Sequence, residues 1–351
     1  MRFNHSLTDW YTQNHRDLPW RRTNDPYKIW LSEVILQQTR VAQGLPYYLK
    51  FTENYPNVVA LAQATEQEVL RDWQGLGYYS RARNLQTAAR QVVEQYGGHF
   101  PTTYAEIIKL KGIGPYTAAA ISSIAFGEAR AVVDGNVYRV LARIFGIKEA
   151  TDSTLGQALF QKKANELLDK KQAGLHNQAL MEMGALVCTP KLPACESCPF
   201  QSECYAYKKQ EIALLPFKAG KVKVRERFLN YVLFMNEKGF YLDKRQAGDI
   251  WQGLYTPWLL EKEKLLENDE MFTEIAQVFQ IGSPALRLLN RSADFRHVLT
   301  HQRLFARFWL VQIFHNLQEN DLIFVGRKEL DLYPVPRLIS AYFKSIAPWL
   351  D

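Results

Sequence analysis

All four cysteines of this 351-residue chain fall within residues 188–204, spaced Cys188-x6-Cys195-x2-Cys198-x5-Cys204, with Pro190, Pro193 and Pro199 in the same segment. No other feature constrains the fold as tightly. The first residues, MRFNHSLTDWY, lack the basic-then-apolar pattern of an export signal, so a disulfide framework is not expected and a metal site is. Four thiolates suit tetrahedral zinc or a [4Fe-4S] cluster, and ligand softness does not separate the two. Zinc ribbons usually carry two short-spaced pairs, whereas only Cys195 and Cys198 are close here.

The cysteine segment closes a stretch that reads almost entirely as helix from Leu7 to about Phe200. Apolar residues recur at helical spacing in residues 27–38, 66–72, 82–96, 104–110, 116–126, 137–145 and 177–187. Glycine and proline punctuate them at Gly75, Gly77, Gly97, Gly98, residues 112–115 and Gly127. Residues 205–226 change character, with Lys208, Lys209, Lys218, Lys221, Lys223, Arg225 and Pro216 and little periodicity, and read as a basic linker. Beyond them, residues 228–235 and 240–243 are β-prone runs about a turn at Lys238 and Gly239, and residues 297–299 and 307–314 are further strand candidates. The length favours two domains: mainly α over residues 1–204, then α+β with a largely antiparallel sheet over residues 227–351. A net charge of +7 favours a polyanionic partner. The longest apolar run, about residues 118–126, is too short for a bilayer; a cytosolic protein, with no membrane partner, is expected.

Residues 110–119, LKGIGPYTAA, join two helices through a tight turn. Gly112 and Gly114 permit backbone angles denied to other residues, and Pro115 suits the first turn of the helix that follows. Unpaired amides at such a helix start grip a phosphate without reading sequence. Twenty residues on, in VVDGNV (132–137), Asp134 reads as a helix N-cap on spacing alone. In LPWRRTNDPYKIWLSEVILQQTR (18–40), a helix places Ile29, Trp30, Leu36 and Gln37 around Glu33. Apolar company of that kind raises a carboxyl's pKa, as a general acid working near neutrality requires; a solvated Glu33, or one paired with Arg22 or Lys28, is the alternative.

Together these motifs resemble the adenine DNA glycosylase (MutY) family of the endonuclease III, helix-hairpin-helix superfamily, over residues 18 to about 304. The hairpin (105–126) with the aspartate after it and the cysteine spacing resemble the superfamily. The 18–40 segment resembles MutY in particular. The resemblance implies a [4Fe-4S] cluster on Cys188, Cys195, Cys198 and Cys204, structural in role and presenting Lys191 and its neighbours to DNA phosphates. It implies that Glu33 protonates adenine N7 and that Asp134 faces the sugar and stabilises an oxocarbenium ion. Lyase-capable relatives hold a lysine where Tyr116 stands, so excision by water without efficient strand cleavage is expected, with Tyr116 helping to position Asp134. By the same resemblance Gln38 and Thr39 approach 8-oxoguanine, Tyr78 of WQGLGYY (73–79) enters the base stack, and Arg21, Asn136 and Gln178 line the base pocket. Some relatives carry glutamate at Gln178.

WQGLYTP (251–257) resembles a turn of the Nudix-like C-terminal domain of that family, and the catalytic Nudix box is absent. Lesion recognition rather than nucleotide hydrolysis is therefore expected. FRHVLTH (295–301) aligns with the family loop that reads 8-oxoguanine, with Leu299, Thr300 and His301 where the family has Phe-Ser-His. The expected substrate is double-stranded DNA bearing adenine opposite 8-oxoguanine or guanine, bound by a monomer. A glycosylase for thymine opposite guanine and a non-catalytic iron–sulfur DNA-binding protein are the competing readings. Glu33 and the attached second domain argue against the first, and the presence of both Glu33 and Asp134 against the second.

Overall fold

The structure, a computed structural model, describes residues 2–220, 224–280, 285–314, 317 and 322–350; Lys221 and Lys223 of the basic stretch lie outside these. Helices α1 (Arg2–Asn14), α2 (Pro26–Leu36), α3 (Val41–Asn54), α4 (Val58–Gln63), α5 (Glu66–Asp72) and α6 (Ser80–Tyr96) come first. There follow α7 (Tyr104–Ile107), α8 (Pro115–Phe126), α9 (Gly135–Phe145), α10 (Thr154–Leu167), α11 (Ala173–Leu186) and α12 (Tyr205–Lys208). The chain divides into two compact units, one of residues 1–63 with 84–221, the other of residues 64–83 with 222–351.

In the first unit the best-buried helices carry the site. Helix α2 starts at Pro26 behind Asp25, whose carboxylate caps the Tyr27 amide, and it buries Ile29, Trp30, Leu31, Val34 and Ile35. A helix apolar nearly all round belongs inside a core. Helix α11 packs against α1, α8 and α9. Its Gly184 lies where a Cβ would stand 2.5 Å from the Cβ of Asn136, so glycine alone lets α11 approach the start of α9 so closely. Helices α1, α3, α4 and α10 were not marked out by periodicity, and Gln37, at ψ 113°, and Gln38, at a positive φ of 56°, fall outside α2. The basic stretch is less of a linker than its composition suggests. Tyr205–Lys208 is helical, Ala206 and Leu215 are buried, and Arg143 Nε donates to the Leu215 carbonyl at 3.0 Å.

The second unit is a mixed sheet of β1 (Arg225–Met235), β2 (Gly239–Lys244), β3 (Tyr255–Thr256), β4 (Trp258–Lys262), β5 (Leu286–Arg291), β6 (Phe295–Val298), β7 (Gln302–Ile313) and β8 (Leu322–Gly326). Its backbone runs β3-β2-β1-β7-β5, with β4 on β1, β6 on β7 and β8 on β2. The pairings are antiparallel except at the centre, where β1 and β7 run parallel from Arg225 opposite Gln302 to Met235 opposite Gln312. Both faces of this pair are covered, which is why β1 reads as a continuous apolar run rather than an alternation. Tyr231, Leu233, Phe308 and Leu310 meet α14 (Arg337–Ser345) on one side. Val232, Phe234, Trp309 and Val311 meet α13 (Asn268–Phe279) on the other. A short α15 (Ala347–Leu350) ends the described chain. No helix among the described residues is long and apolar enough to cross a membrane.

Candidate active site

A cleft of about 570 Å³ opens in the first unit, and Glu33, Tyr116, Asp134, Asn136 and Gln178 all line it. They come from four elements: α2, α8, the head of α9, and α11. Thr39 and Arg21 are also on its wall, whereas exposed Gln38 is not among the residues that line it.

Glu33 shares this wall with Ile29, Leu36, Ile124 and Met181. Burial raises its carboxyl strongly; the Tyr116 hydrogen bond opposes this, Asp134 adds to it, and Arg21 opposes it, leaving the group at about 7. The Tyr116 hydroxyl donates to Glu33 Oε2 at 2.5 Å. Its phenol is held well above its ordinary pKa, first by burial and then by the charges of Glu33 and Asp134. The described hydroxyl bonds run to Glu33 and to the Met181 sulfur, so Tyr116 contacts Glu33 rather than the expected Asp134. Arg22, one of the two cations suggested for Glu33, pairs with Asp17 instead.

Asp134 both caps α9 and lines the cleft. Oδ1 accepts from the Asn136 and Val137 amides at 2.9 and 2.8 Å, an N-cap of α9, while Oδ2 takes the Asn136 side-chain amide at 2.8 Å. The same residue lines the cleft, so capping fixes a carboxylate that faces the reaction space. Burial raises its pKa, against the opposing pull of the Val137 amide, the Asn136 donors and Arg139. Asn136 is itself held by Arg139, which donates to its Oδ1 at 2.8 Å and, through Nε, to the Cys188 carbonyl.

Two cleft residues went unread in the sequence. Glu182, 1% exposed, accepts from Arg16 and from Arg21, each guanidinium contacting both carboxylate oxygens at 2.5–2.9 Å. Burial pushes Glu182 up, but these bonds outweigh it and hold the group at about 2. Glu182 stands four residues after Gln178 on one helix, so the i, i+4 rule applied to α11 would have found it. Gln178 Oε1 accepts from Tyr11, over whose ring Arg21 lies, at 5.7 Å from the centroid.

The hairpin before α8 has the geometry its glycines require. Gly112 adopts φ +75°, and a Cβ there would meet Asn84 Cβ at 2.5 Å; Gly114 is the N-cap residue and Pro115 opens the helix. Cys188, Cys195, Cys198 and Cys204 all line one cavity, beside Arg143, whose guanidinium reaches Cys188 Sγ at 3.5 Å. All four are free thiols.

In the second unit Leu299, Thr300 and His301 form the turn between β6 and β7, closed by the Leu299 amide on the Gln302 carbonyl at 2.8 Å. Strand β6 starts at Phe295 and ends at Val298, one residue short of the strand end expected at 299. Leu299 packs against the core while Thr300 and His301 are exposed. Tyr78, at φ +47° and 47% exposed, belongs to this unit, and its hydroxyl lies 2.5 Å from Thr300 Oγ1.

The match to known families divides as the chain does. The HhH-GPD superfamily of base excision DNA repair proteins matches residues 31–166, and the NUDIX domain family matches residues 230–345. A thermostable thymine-DNA glycosylase superposes with a TM-score of 0.54 at 31% identity, covering 59% of this chain and 96% of that one. Endonuclease III in a trapped covalent intermediate with DNA gives 0.52 at 25%, covering 60% and 96%. The helical unit therefore has the fold of a helix-hairpin-helix base-excision glycosylase. Adenine DNA glycosylase of Buchnera aphidicola subsp. Baizongia pistaciae is 33% identical over 312 residues, 88% of this chain and 86% of the relative. The mouse and human adenine DNA glycosylases are 45% and 48% identical over 65% and 60% of this chain, which spans 46% and 40% of their lengths, less than half in each case. The chain belongs to the adenine DNA glycosylase family.

Proposed function

We propose that this protein excises adenine from double-stranded DNA where it stands opposite 8-oxoguanine or guanine, by hydrolysis of the N-glycosidic bond. The observation that carries the reading is the pairing, in one cleft, of a carboxyl held near pKa 7 with a capped carboxylate, Glu33 with Asp134. Adenine departs poorly as an anion. Glu33, protonated in half the molecules near neutrality, gives its proton to N7. The C1′–N9 bond then breaks with its electron pair going to the base. The positive charge left on the sugar falls opposite Asp134, whose oxygens are already oriented by Asn136 and Val137 and need no reorganisation. Water completes the reaction at C1′. Tyr116, a hydroxyl where a lyase has its amine, forms no Schiff base.

Four free thiols on one cavity with a guanidinium beside them support a resident [4Fe-4S] cluster on Cys188, Cys195, Cys198 and Cys204. Among the described residues no group of three or more His, Cys, Asp or Glu is arranged to hold a metal ion. The thiolates suit zinc or an iron–sulfur cluster, and membership of the adenine DNA glycosylase family favours the cluster. Its contribution when bound is structural, holding residues 188–204 folded. The Gly112–Pro115 turn grips a phosphate, and the 299–301 turn with Tyr78 reads the lesion.

The deciding experiment incubates purified protein with duplexes holding A opposite 8-oxoguanine, A opposite G, T opposite G and U opposite G, with borohydride in a parallel set. Adenine release from the first two, without a trapped adduct, is expected. Preferential release of thymine or uracil, or strong trapping, refutes the proposal.

A further inference from the structure

Glu182 has no part in the chemistry as described, yet five donors converge on it. Besides the four guanidinium contacts of Arg16 and Arg21, the Arg16 backbone amide donates to Oε1 at 2.9 Å. Arg21 is further fixed by its bond to the Arg16 carbonyl at 3.0 Å. Both arginines and Glu182 line the cleft that holds Glu33. We propose that Glu182 is a positioning residue of the excision site, cancelling one of the two guanidinium charges so that Glu33 retains its proton. The proposal rests on the reading of Glu33 as the acid.

The titratable and charged groups that share the cleft with Glu33 come from several elements, and of these Tyr116, Asp134 and Arg21 act on it directly. Arg16 and Arg21 lie between α1 and α2, Arg40 precedes α3, Tyr116 is on α8, Asp134 heads α9 and Glu182 is on α11. With Glu182 ionised, the Arg16–Arg21–Glu182 group carries one net positive charge. Without it the group carries two, and a positive charge near a carboxyl favours the ionised form, which cannot donate a proton. An uncompensated pair of arginines would undo what burial does for Glu33. A purely structural ion pair would instead affect stability and leave the acid alone.

Single-turnover excision, with enzyme in excess over duplex, is followed from about pH 5 to 9, where a general acid's titration is visible. Full-length wild type, Glu182→Gln, Glu182→Asp, Arg21→Met and Glu182→Gln/Arg21→Met are compared. Excision that needs protonated Glu33 falls off on the alkaline side. Glu182→Gln moves that limb down by about one pH unit, the low end of what a nearby unbalanced charge does. Arg21→Met moves it up, the double variant returns it near the wild-type position, and Glu182→Asp leaves it in place. A folded Glu182→Gln protein with an unmoved limb overturns the proposal, as do single variants that shift in the same direction. If Glu182→Gln does not fold, Arg21→Met decides alone, and a limb that stays or falls overturns the proposal. Glu33→Gln run beside them separates the two readings. Normal excision by that variant sinks the acid assignment itself, whereas loss of excision there with an unmoved limb in Glu182→Gln sinks only the role of Glu182.

Discussion

Replacing Tyr116 with Phe removes one hydroxyl from a half-buried pair and leaves the ring that packs there. In the native protein that hydroxyl donates to Glu33 Oε2 at 2.5 Å and so favours the ionised carboxylate. A hydrogen bond to a charged group contributes about 1.5–3 kcal/mol, and one pKa unit corresponds to about 1.4 kcal/mol. Its loss therefore raises the Glu33 pKa by about one to two units. The sign follows: protonated Glu33 is the active form, so excision declines as pH rises through its pKa. In wild type that decline centres near pH 7; in Tyr116→Phe it centres at about pH 8 to 9. At pH 7 the variant gains at most about twofold from fuller protonation, and any further change in the plateau rate reports other work by the hydroxyl. The assay is single-turnover adenine release from a duplex with A opposite 8-oxoguanine, measured at closely spaced pH. A limb at the wild-type position, or one moved to lower pH, refutes the hydrogen-bond argument.

Asp134→Asn keeps a side chain that caps a helix as well as aspartate does, so its melting temperature stays within a few degrees of wild type while excision falls by at least about 10²-fold; near-normal excision would restore Asp134 to a cap and nothing more. Anaerobically purified protein carries about four irons per chain and absorbs in the visible, as Cys₄ ligation of a cubane requires, and stoichiometric zinc in colourless protein would overturn the assignment. Thr300→Ala with His301→Ala lowers the preference for 8-oxoguanine over guanine by about 1–3 kcal/mol, the worth of a good base contact, while sparing A opposite G. Equal discrimination by that variant and wild type moves lesion reading elsewhere.

The apolar setting of Glu33, the Asp134 cap and the hairpin turn were legible because each lies in a short local pattern. Glu33 sits amid apolar helix positions, Asp134 just ahead of a helix, and Gly112 and Gly114 in a turn between two helices. The cap read at Asp134 is present through Oδ1, and the same residue lines the cleft, a placement that needs the tertiary fold to be seen. What stayed hidden was long-range. No local signal tells that Arg16 and Arg21 meet Glu182 some 160 residues later, or that the Tyr116 hydroxyl turns to Glu33. The parallel centre of the sheet was missed for the same reason. Antiparallel hairpins announce themselves through their turns, but β1 and β7 are joined by everything between Met235 and Gln302.

The segment of residues 64–83 has a consequence for how the protein is made. Gln67 Nε2 donates to the Leu332 carbonyl at 2.9 Å, Tyr255 donates to Gln67 at 3.2 Å, Arg83 reaches the Gln252 carbonyl at 2.6 Å, and Gln74 accepts from the Val335 amide at 3.2 Å. A ribosome adds about 5–20 residues per second, so these early residues wait on the order of tens of seconds before their partners emerge. During that interval Gln67, Gln74, Tyr78 and Arg83 lack the later residues they bond in the finished unit. A chain cut before residue 222 lacks Gln252, Leu332 and Val335, the groups that Arg83, Gln67 and Gln74 meet here. Truncations are then expected to show their damage first as aggregation in cells, before any loss of chemistry in the cleft.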